Sequence, residues 1–298
     1  MATGRFAPSP TGPLHLGNLR TALLAWLFAR QTGSRFLVRM EDLDPVVSSR
    51  AHEVEQLADL AAIGLDWDGP VVRQSERRDA HDDAIAALAR DDLVYECYCT
   101  RREIREAAAA PHVIEGAYPG TCRDLTAAQR QQRAGEGRPP ALRLRAGEQR
   151  VTVRDRLAGA ITATVDDFVV RRNDGVPAYN LAVVVDDAFQ GVEEVVRGDD
   201  LLTSTPRQVL LARLLGVPVP AYAHVPLVLG PDGARLAKRH GAVTLADRAA
   251  LGEDPSVVRG HLTASLGLTA PGEVLTPAGL LDRFDPDRLP HHPWTFGA

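Results

Sequence analysis

Apolar residues set the first half of the chain. Leu16, Leu19, Leu23 and Leu27 recur at steps of three and four, and Leu24 and Phe28 widen the stripe. That spacing predicts a helix ending near Gly33. Ahead of it, residues 3–8 read as a short strand, and Ser9-Pro10-Thr11-Gly12-Pro13 as a turn-rich loop. Behind it, Arg35-Phe36-Leu37-Val38-Arg39-Met40 reads as a second buried strand ending at Glu41, and Val54, Leu57, Leu60 and Ala61 mark another helix. Strand, loop, helix, strand, helix in short alternation predicts an α/β fold around a parallel sheet.

Near residue 95 the alternation breaks. The stretch 97–150 is rich in Ala, Arg, Gln, Gly and Pro and reads as an insertion. The expected division is 1–95 for the first half of the sheet domain, 96–165 for the inserted segment, 166–245 for the second half and 246–298 for a short helical extension. In the second half, residues 168–172, the Asn173-Asp174-Gly175 turn and residues 179–185 read as a hairpin. Pro206 opens a helix that Gly216 closes. Residues 223–229 read as a strand, and Gly230-Pro231-Asp232-Gly233 turns the chain toward Lys238. A helical stretch at 257–266 precedes a Pro-rich tail bearing His291 and His292, read as exposed.

Composition narrows the class. With 298 residues, 45% of them hydrophobic, the chain can bury a sizeable core. No apolar run approaches the roughly 20 residues of a membrane span, and the N-terminus lacks the apolar stretch of a signal peptide, so a cytoplasmic protein is expected. The net charge of −5 removes the signature of a globally basic nucleic-acid binder and leaves room for a local basic groove. Arg143 and Arg145, alternating along a possible strand, can line such a groove or form a solvated face. Of the 34 basic residues only Lys238 is a lysine. A compact ammonium suits a phosphate oxygen in a way a planar guanidinium does not, so Lys238 is a candidate functional residue, with a solvent-facing lysine as the plain alternative.

Three cysteines, Cys97, Cys99 and Cys122, crowd into one stretch with Tyr118. The odd count argues against a disulfide framework. Three buried thiols are one reading. The other is a structural tetrahedral zinc site, with Tyr118 or His112 as fourth ligand.

The densest motif is RFAPSPTGPLHLGN, from Arg5 to Asn18. Gly12 and Pro13 hold a tight loop, His15 falls at a helix N-terminus that favours anions, and Gly17 lets a flat ring approach the backbone. With RMEDLD and the later RLAKRHGA, this string resembles the glutamyl-tRNA synthetase family of class I aminoacyl-tRNA synthetases, over roughly residues 4–265. HLGN stands as the HIGH signature. Arg235-Leu236-Ala237-Lys238-Arg239 stands where the family has KMSKS, with four departures and the second lysine retained.

The resemblance implies a class I synthetase-type Rossmann nucleotide-binding fold with an inserted zinc-bearing segment and a short helical C-terminal extension. It implies His15 and Lys238 as catalytic groups that place positive or donor atoms at the phosphates, and His15, Gly17, Asn18 and Lys238 as the ATP site. For L-glutamate it implies Arg5, Phe6, Ala7, Pro8, Ser9, Glu41, Tyr179 and Arg197. Here Arg5 and Arg197 fork onto carboxylates, Glu41 meets the ammonium, and Ser9 and Tyr179 donate hydroxyls. Without it, Arg197 can equally pair with Asp199, and Tyr179 can be a strand core residue. It also implies zinc on Cys97, Cys99, Tyr118 and Cys122, with Mg2+ accompanying ATP.

Full-length relatives carry a large helical anticodon-reading body beyond the KMSKS loop, and 59 residues after Arg239 do not supply one. The abbreviated form resembles the branch that transfers glutamate to queuosine in the anticodon loop of tRNA(Asp). The expected partners are therefore queuosine-bearing tRNA(Asp) and L-glutamate, with no membrane, and the protein is expected to be a monomer. Charging the 3′ end of tRNA(Glu), or an idle tRNA-binding paralogue, are the alternatives.

Overall fold

The computed structural model describes residues 2–100, 102–104 and 118–297. Its central sheet has seven strands: β1 (Gly4–Phe6), β2 (Phe36–Met40), β3 (Val72–Arg73), β6 (Arg150–Asp155), β7 (Gly159–Thr164), β9 (Glu194–Gly198) and β10 (Ala221–Val225). Their order is β3-β2-β1-β9-β10-β6-β7, parallel throughout except for the β6–β7 hairpin at one edge. A second sheet, β4 (Val94–Cys97), β5 (Ala141–Leu144) and β8 (Val169–Arg171), is antiparallel. Hydrogen bonding thus crosses the expected segment borders. The β6–β7 hairpin, inside 96–165, reaches the main sheet through the Asp155–Tyr222 pairing, whereas β8, beyond 165, closes the small sheet.

Helix α1 (Leu16–Gln31) follows the motif loop as the spacing predicts. It is more than a one-sided stripe: Leu16, Leu19, Leu23, Trp26, Leu27 and Phe28 are all buried, as is Arg20. The sheet covers one side of it, while α8 (Pro255–Ala264) and α9 (Pro277–Leu281) pack on the other. A helix buried on both sides loses its polar face. The remaining helices are α2 (Arg50–Ala62), α3 (Arg78–Arg90), α4 (Ala127–Gly135), α5 (Tyr179–Gln190), α6 (Thr205–Leu214) and α7 (Leu245–Ala250). Among the described residues no helix is long and apolar enough to cross a membrane.

Three expectations need correction. Residues 179–185 do not form the second arm of a hairpin. They begin α5, which runs to Gln190 and stops at Gly191 in the left-handed region at φ 64. The turn at 173–175 makes one isolated bridge, Arg171 to Pro177, before the helix starts. Val183-Val184-Val185 favours strand locally, but α5 sits between α3 and α6, and that packing overrides propensity. Residues 223–229 are two strands, because Pro226 lacks the N–H a ladder needs. Finally, the tail is docked: β12 (Trp294–Thr295) pairs in parallel with β11 (Val228–Leu229), and Trp294 and Phe296 pack on the core, although His291 and His292 are exposed as expected.

Candidate active site

The motif loop, the C-terminal ends of β1, β2 and β9 and the turn after β9 enclose one cleft of about 600 Å3. Clefts at strand C-terminal ends are where open α/β sheets bind ligands. The cleft brings together Arg5, Phe6, Ala7, Pro8, Ser9, His15, Gly17, Asn18, Glu41, Tyr179 and Arg197. Arg235 lines it as well, and Lys238 opens the 3-10 turn Lys238–His240 three residues further on. Gln56 of α2, which the sequence did not single out, pins the loop by donating to the carbonyls of Ser9 at 3.0 Å and Gly12 at 2.7 Å.

At the end of the cleft expected to take the nucleotide, His15 is the N-cap of α1. Its Nδ1 accepts from the Asn18 backbone N–H at 3.2 Å, and Asn18 Oδ1 accepts from the His15 N–H. Because a backbone N–H only donates, Nδ1 is bare and the ring proton sits on Nε2. Burial, with the Arg235 charge adding to it, lowers the His15 pKa to about 4. His15 is therefore a neutral donor rather than a cation. A Cβ on Gly17 would stand 3.0 Å from this ring, so a side chain there would displace it.

At the other end a row of buried charges alternates in sign. Asp187 of α5 accepts from Arg5 Nε at 3.2 Å and from Arg39 at 2.6 Å, and Arg39 reaches Glu41 at 3.3 Å. Burial pushes the Asp187 carboxyl up, but Arg39 and Arg5 outweigh it and hold it below the usual carboxylate range. Burial wins at Glu41, whose pKa is raised despite the two arginines. Two arginines and two carboxylates leave the row neutral overall.

Arg197 differs. It donates to His224 Nε2 at 3.0 Å, to the Tyr179 hydroxyl at 3.3 Å and to Thr205 Oγ1 at 2.8 Å. All three acceptors are uncharged, and among the described residues Arg197 forms no ion pair, the Asp199 alternative included. Tyr179 is the first residue of α5, partly exposed at the cleft, and not a strand core residue.

A second cleft of about 680 Å3 shares Ser9, Glu41 and Tyr179 with the first and extends to Cys97, Cys99, Arg138 and Arg143. The Cys97, Cys99 and Cys122 sulfurs lie within 4.8 Å of one another. The Tyr118 oxygen is 3.4 Å from Cys97 Sγ and 3.7 Å from Cys99 Sγ. A tetrahedral site with Zn–S bonds of about 2.3 Å needs sulfurs about 3.8 Å apart, so the donor set fits zinc. His112 lies outside the described residues. Arg143 does not form a solvated face: it is buried, donates to Cys97 Sγ at 3.2 Å and stacks 3.7 Å from the Tyr118 ring.

Fold and cleft together define a nucleotide-using enzyme of the class I synthetase type, with a Rossmann-like parallel sheet and a helix N-terminus facing the site. Residues 1–297 match the family described as tRNA synthetases class I (E and Q), catalytic domain, and the chain belongs to it. A protein of Nocardia farcinica named Glutamyl-Q tRNA(Asp) synthetase is 64% identical across 98% of this chain and 92% of its own length. A relative of the same name from Symbiobacterium thermophilum is 52% identical across 98% of this chain and 95% of its own. Among solved structures, a glutamate tRNA ligase from Elizabethkingia meningosepticum in complex with its amino acid has a TM-score of 0.85 at 28% identity, over 100% of this chain and 67% of that one.

Proposed function

We propose that the protein activates L-glutamate with ATP to glutamyl-adenylate and transfers the glutamyl group to queuosine in the anticodon loop of tRNA(Asp). One observation carries the amino-acid half: in a cleft whose other buried charges cancel, Arg197 keeps an uncompensated cation, the seat for a substrate carboxylate. Arg5 adds a second guanidinium, Glu41 an anion for the ammonium, and Ser9 and Tyr179 hydroxyls, with the Phe6-Ala7-Pro8 backbone as the wall between them. The transfer half is supported by the names of the relatives that match over nearly their whole length.

A substrate carboxylate is already ionised near neutral pH, so it attacks the α-phosphate of ATP without a general base. Catalysis then reduces to placement and charge stabilisation. His15 donates through Nε2, Lys238 supplies the ammonium, and Gly17 and Asn18 complete the nucleotide seat. Mg2+ accompanies ATP and pyrophosphate. The same proposal makes the Cys97, Cys99, Tyr118 and Cys122 set a structural zinc centre: saturated by protein ligands, it would fix the small sheet and supply no water. It divides the chain into catalytic halves 1–95 and 166–245 around the inserted segment 96–165, with a helical extension at 246–298, acting as a cytoplasmic monomer.

The deciding experiment incubates the protein with ATP, labelled glutamate and queuosine-bearing total tRNA, then cleaves the product. Label in the anticodon fragment of tRNA(Asp) is expected. Label on the 3′-terminal nucleoside would make the protein a tRNA(Glu)-charging enzyme, and no adenylate at all would make it an idle paralogue.

A further inference from the structure

Behind Arg197 stands a buried array that neither the motifs nor the proposed substrate contacts include. His224 on β10 lies directly opposite Arg197 on β9 in the parallel register. Its Nδ1 is 2.6 Å from Asp155 Oδ2, and its Nε2 receives the Arg197 Nε–H at 3.0 Å. An arginine N–H only donates, so Nε2 is bare and the ring proton sits on Nδ1, facing the carboxylate. Asp155 is itself held by three backbone N–H groups: His224 at 3.1 Å, Leu157 at 3.0 Å and Ala158 at 2.8 Å. Thr205, at the start of α6, accepts from the second nitrogen of Arg197, and its hydroxyl has two acceptors within reach, the Leu201 carbonyl at 3.2 Å and the bare His224 Nε2 at 3.1 Å. The side chains of His224 and Asp155 are fully buried.

We propose that Asp155, His224 and Thr205 are positioning residues that fix the Arg197 fork in the orientation a glutamate carboxylate requires. The proposal rests on the reading of Arg197 as a carboxylate seat. The reason for such an array is entropic and directional. An arginine side chain has many rotamers, and one that has no buried carboxylate to hold it must be oriented by neutral acceptors if its charge is to stay available. A carboxylate in place of His224 would orient Arg197 equally well and cancel it. A neutral histidine orients without cancelling, and Asp155 selects the tautomer that makes this possible, as outer partners of ligating histidines do. Asp155 belongs to the β6–β7 hairpin at the sheet edge, so this segment's contribution to the cleft is made through the array.

The groups facing His224 are Asp155 from β6, Arg197 from β9, Asp199 and Thr205 from the connection to α6, and Tyr222 stacked on its own strand. Burial outweighs Asp155 and leaves the ring below its ordinary pKa. Protonation at Nε2 would remove the acceptor and set a second cation against Arg197. Glutamate affinity should therefore fall only in acid, below the ordinary range of a histidine ring.

The test measures KM for glutamate and for ATP in glutamate-dependent ATP–pyrophosphate exchange with the full-length protein. His224→Phe should raise KM for glutamate about ten- to hundredfold with KM for ATP unchanged, since a small misplacement of a binding group has effects of that size. His224→Gln, which can offer an acceptor at the same place, should recover most of the loss. Thr205→Val, close to isosteric and the milder cut should His224→Phe not fold, should raise it less, again for glutamate alone. An unchanged KM for glutamate in the folded His224 or Thr205 variants, while Arg197→Lys raises it, would overturn the positioning role. An equal rise in both KM values would do the same. If Arg197→Lys itself left KM for glutamate unchanged, the carboxylate seat would be wrong and the array's purpose with it.

Discussion

The two ends of the cleft are built on opposite plans. At the proposed amino-acid end Arg5, Arg39, Asp187, Arg197 and His224 are buried: Arg5 is held by Asp187, and each of the other four by at least two side chains, from strands and helices far apart in the chain. At the proposed nucleotide end, Arg235 is exposed and, among the described residues, pairs with Asp200 across the surface, and Asp232 and Arg239 beside Lys238 are exposed too. On the proposed function, the contrast separates selection from turnover. Discriminating a small diacid requires charges that do not move, because a buried charge left unpaired by the wrong ligand carries a large penalty. Admitting ATP and releasing pyrophosphate requires groups that detach cheaply, and exposed ion pairs contribute little to stability.

Substitutions can break this division. The largest effect should come from Asp187→Ala, which strands the buried Arg5 guanidinium and leaves Arg39 only Glu41 and Gln190, and should cost about 3–5 kcal/mol in a urea titration. Lys238→Ala should reverse that pattern. Pyrophosphate exchange should fall about a hundredfold or more, with the unfolding midpoint unmoved, as the proposed role at the phosphate charge implies. A shifted midpoint, or intact exchange, would remove Lys238 from the phosphates. Cys97→Ser should abolish near-stoichiometric zinc in metal analysis and weaken transfer to tRNA more than adenylate formation. Absence of zinc in the unaltered protein would remove the metal reading.

A smaller effect concerns pH. The folded His15 pKa of about 4 lies below the ring's ordinary 6.5, so between those values the unfolded chain binds a proton that the folded chain refuses. Stability should decline as pH falls through that window and be unaffected above it. His15→Asn should flatten the decline between pH 7 and 5 in parallel urea titrations. Smallest of all, Arg235→Ala should change stability by less than about 1 kcal/mol, as a surface pair does.

The local structure of the motif-loop end was the legible part. His15, Gly17 and Asn18 lie within four positions, and a capped helix start is a local event: the His15–Asn18 exchange closes over three residues. The strand, loop and helix around it follow from period and turn chemistry, and α1 appeared where its leucines placed it. Where local propensity competed with packing it misled, as in α5, whose three consecutive valines favour strand until α3 and α6 enclose them. Arg143 misled in the same way, since alternation along β5 says nothing about the Tyr118 ring that covers it.

From sequence alone came the family resemblance, the α/β class, the motif loop ahead of α1 and a lone lysine, because each depends on neighbours in the chain. Which charges cancel and which stays free was decided only in three dimensions. Arg5 and Asp187 are 182 positions apart, Arg39 and Asp187 148, and Asp155 and His224 69. No local pattern encodes such pairings. The sheet order brings these partners together, and with them comes the difference between a neutral row of ion pairs and an arginine left with its charge to give.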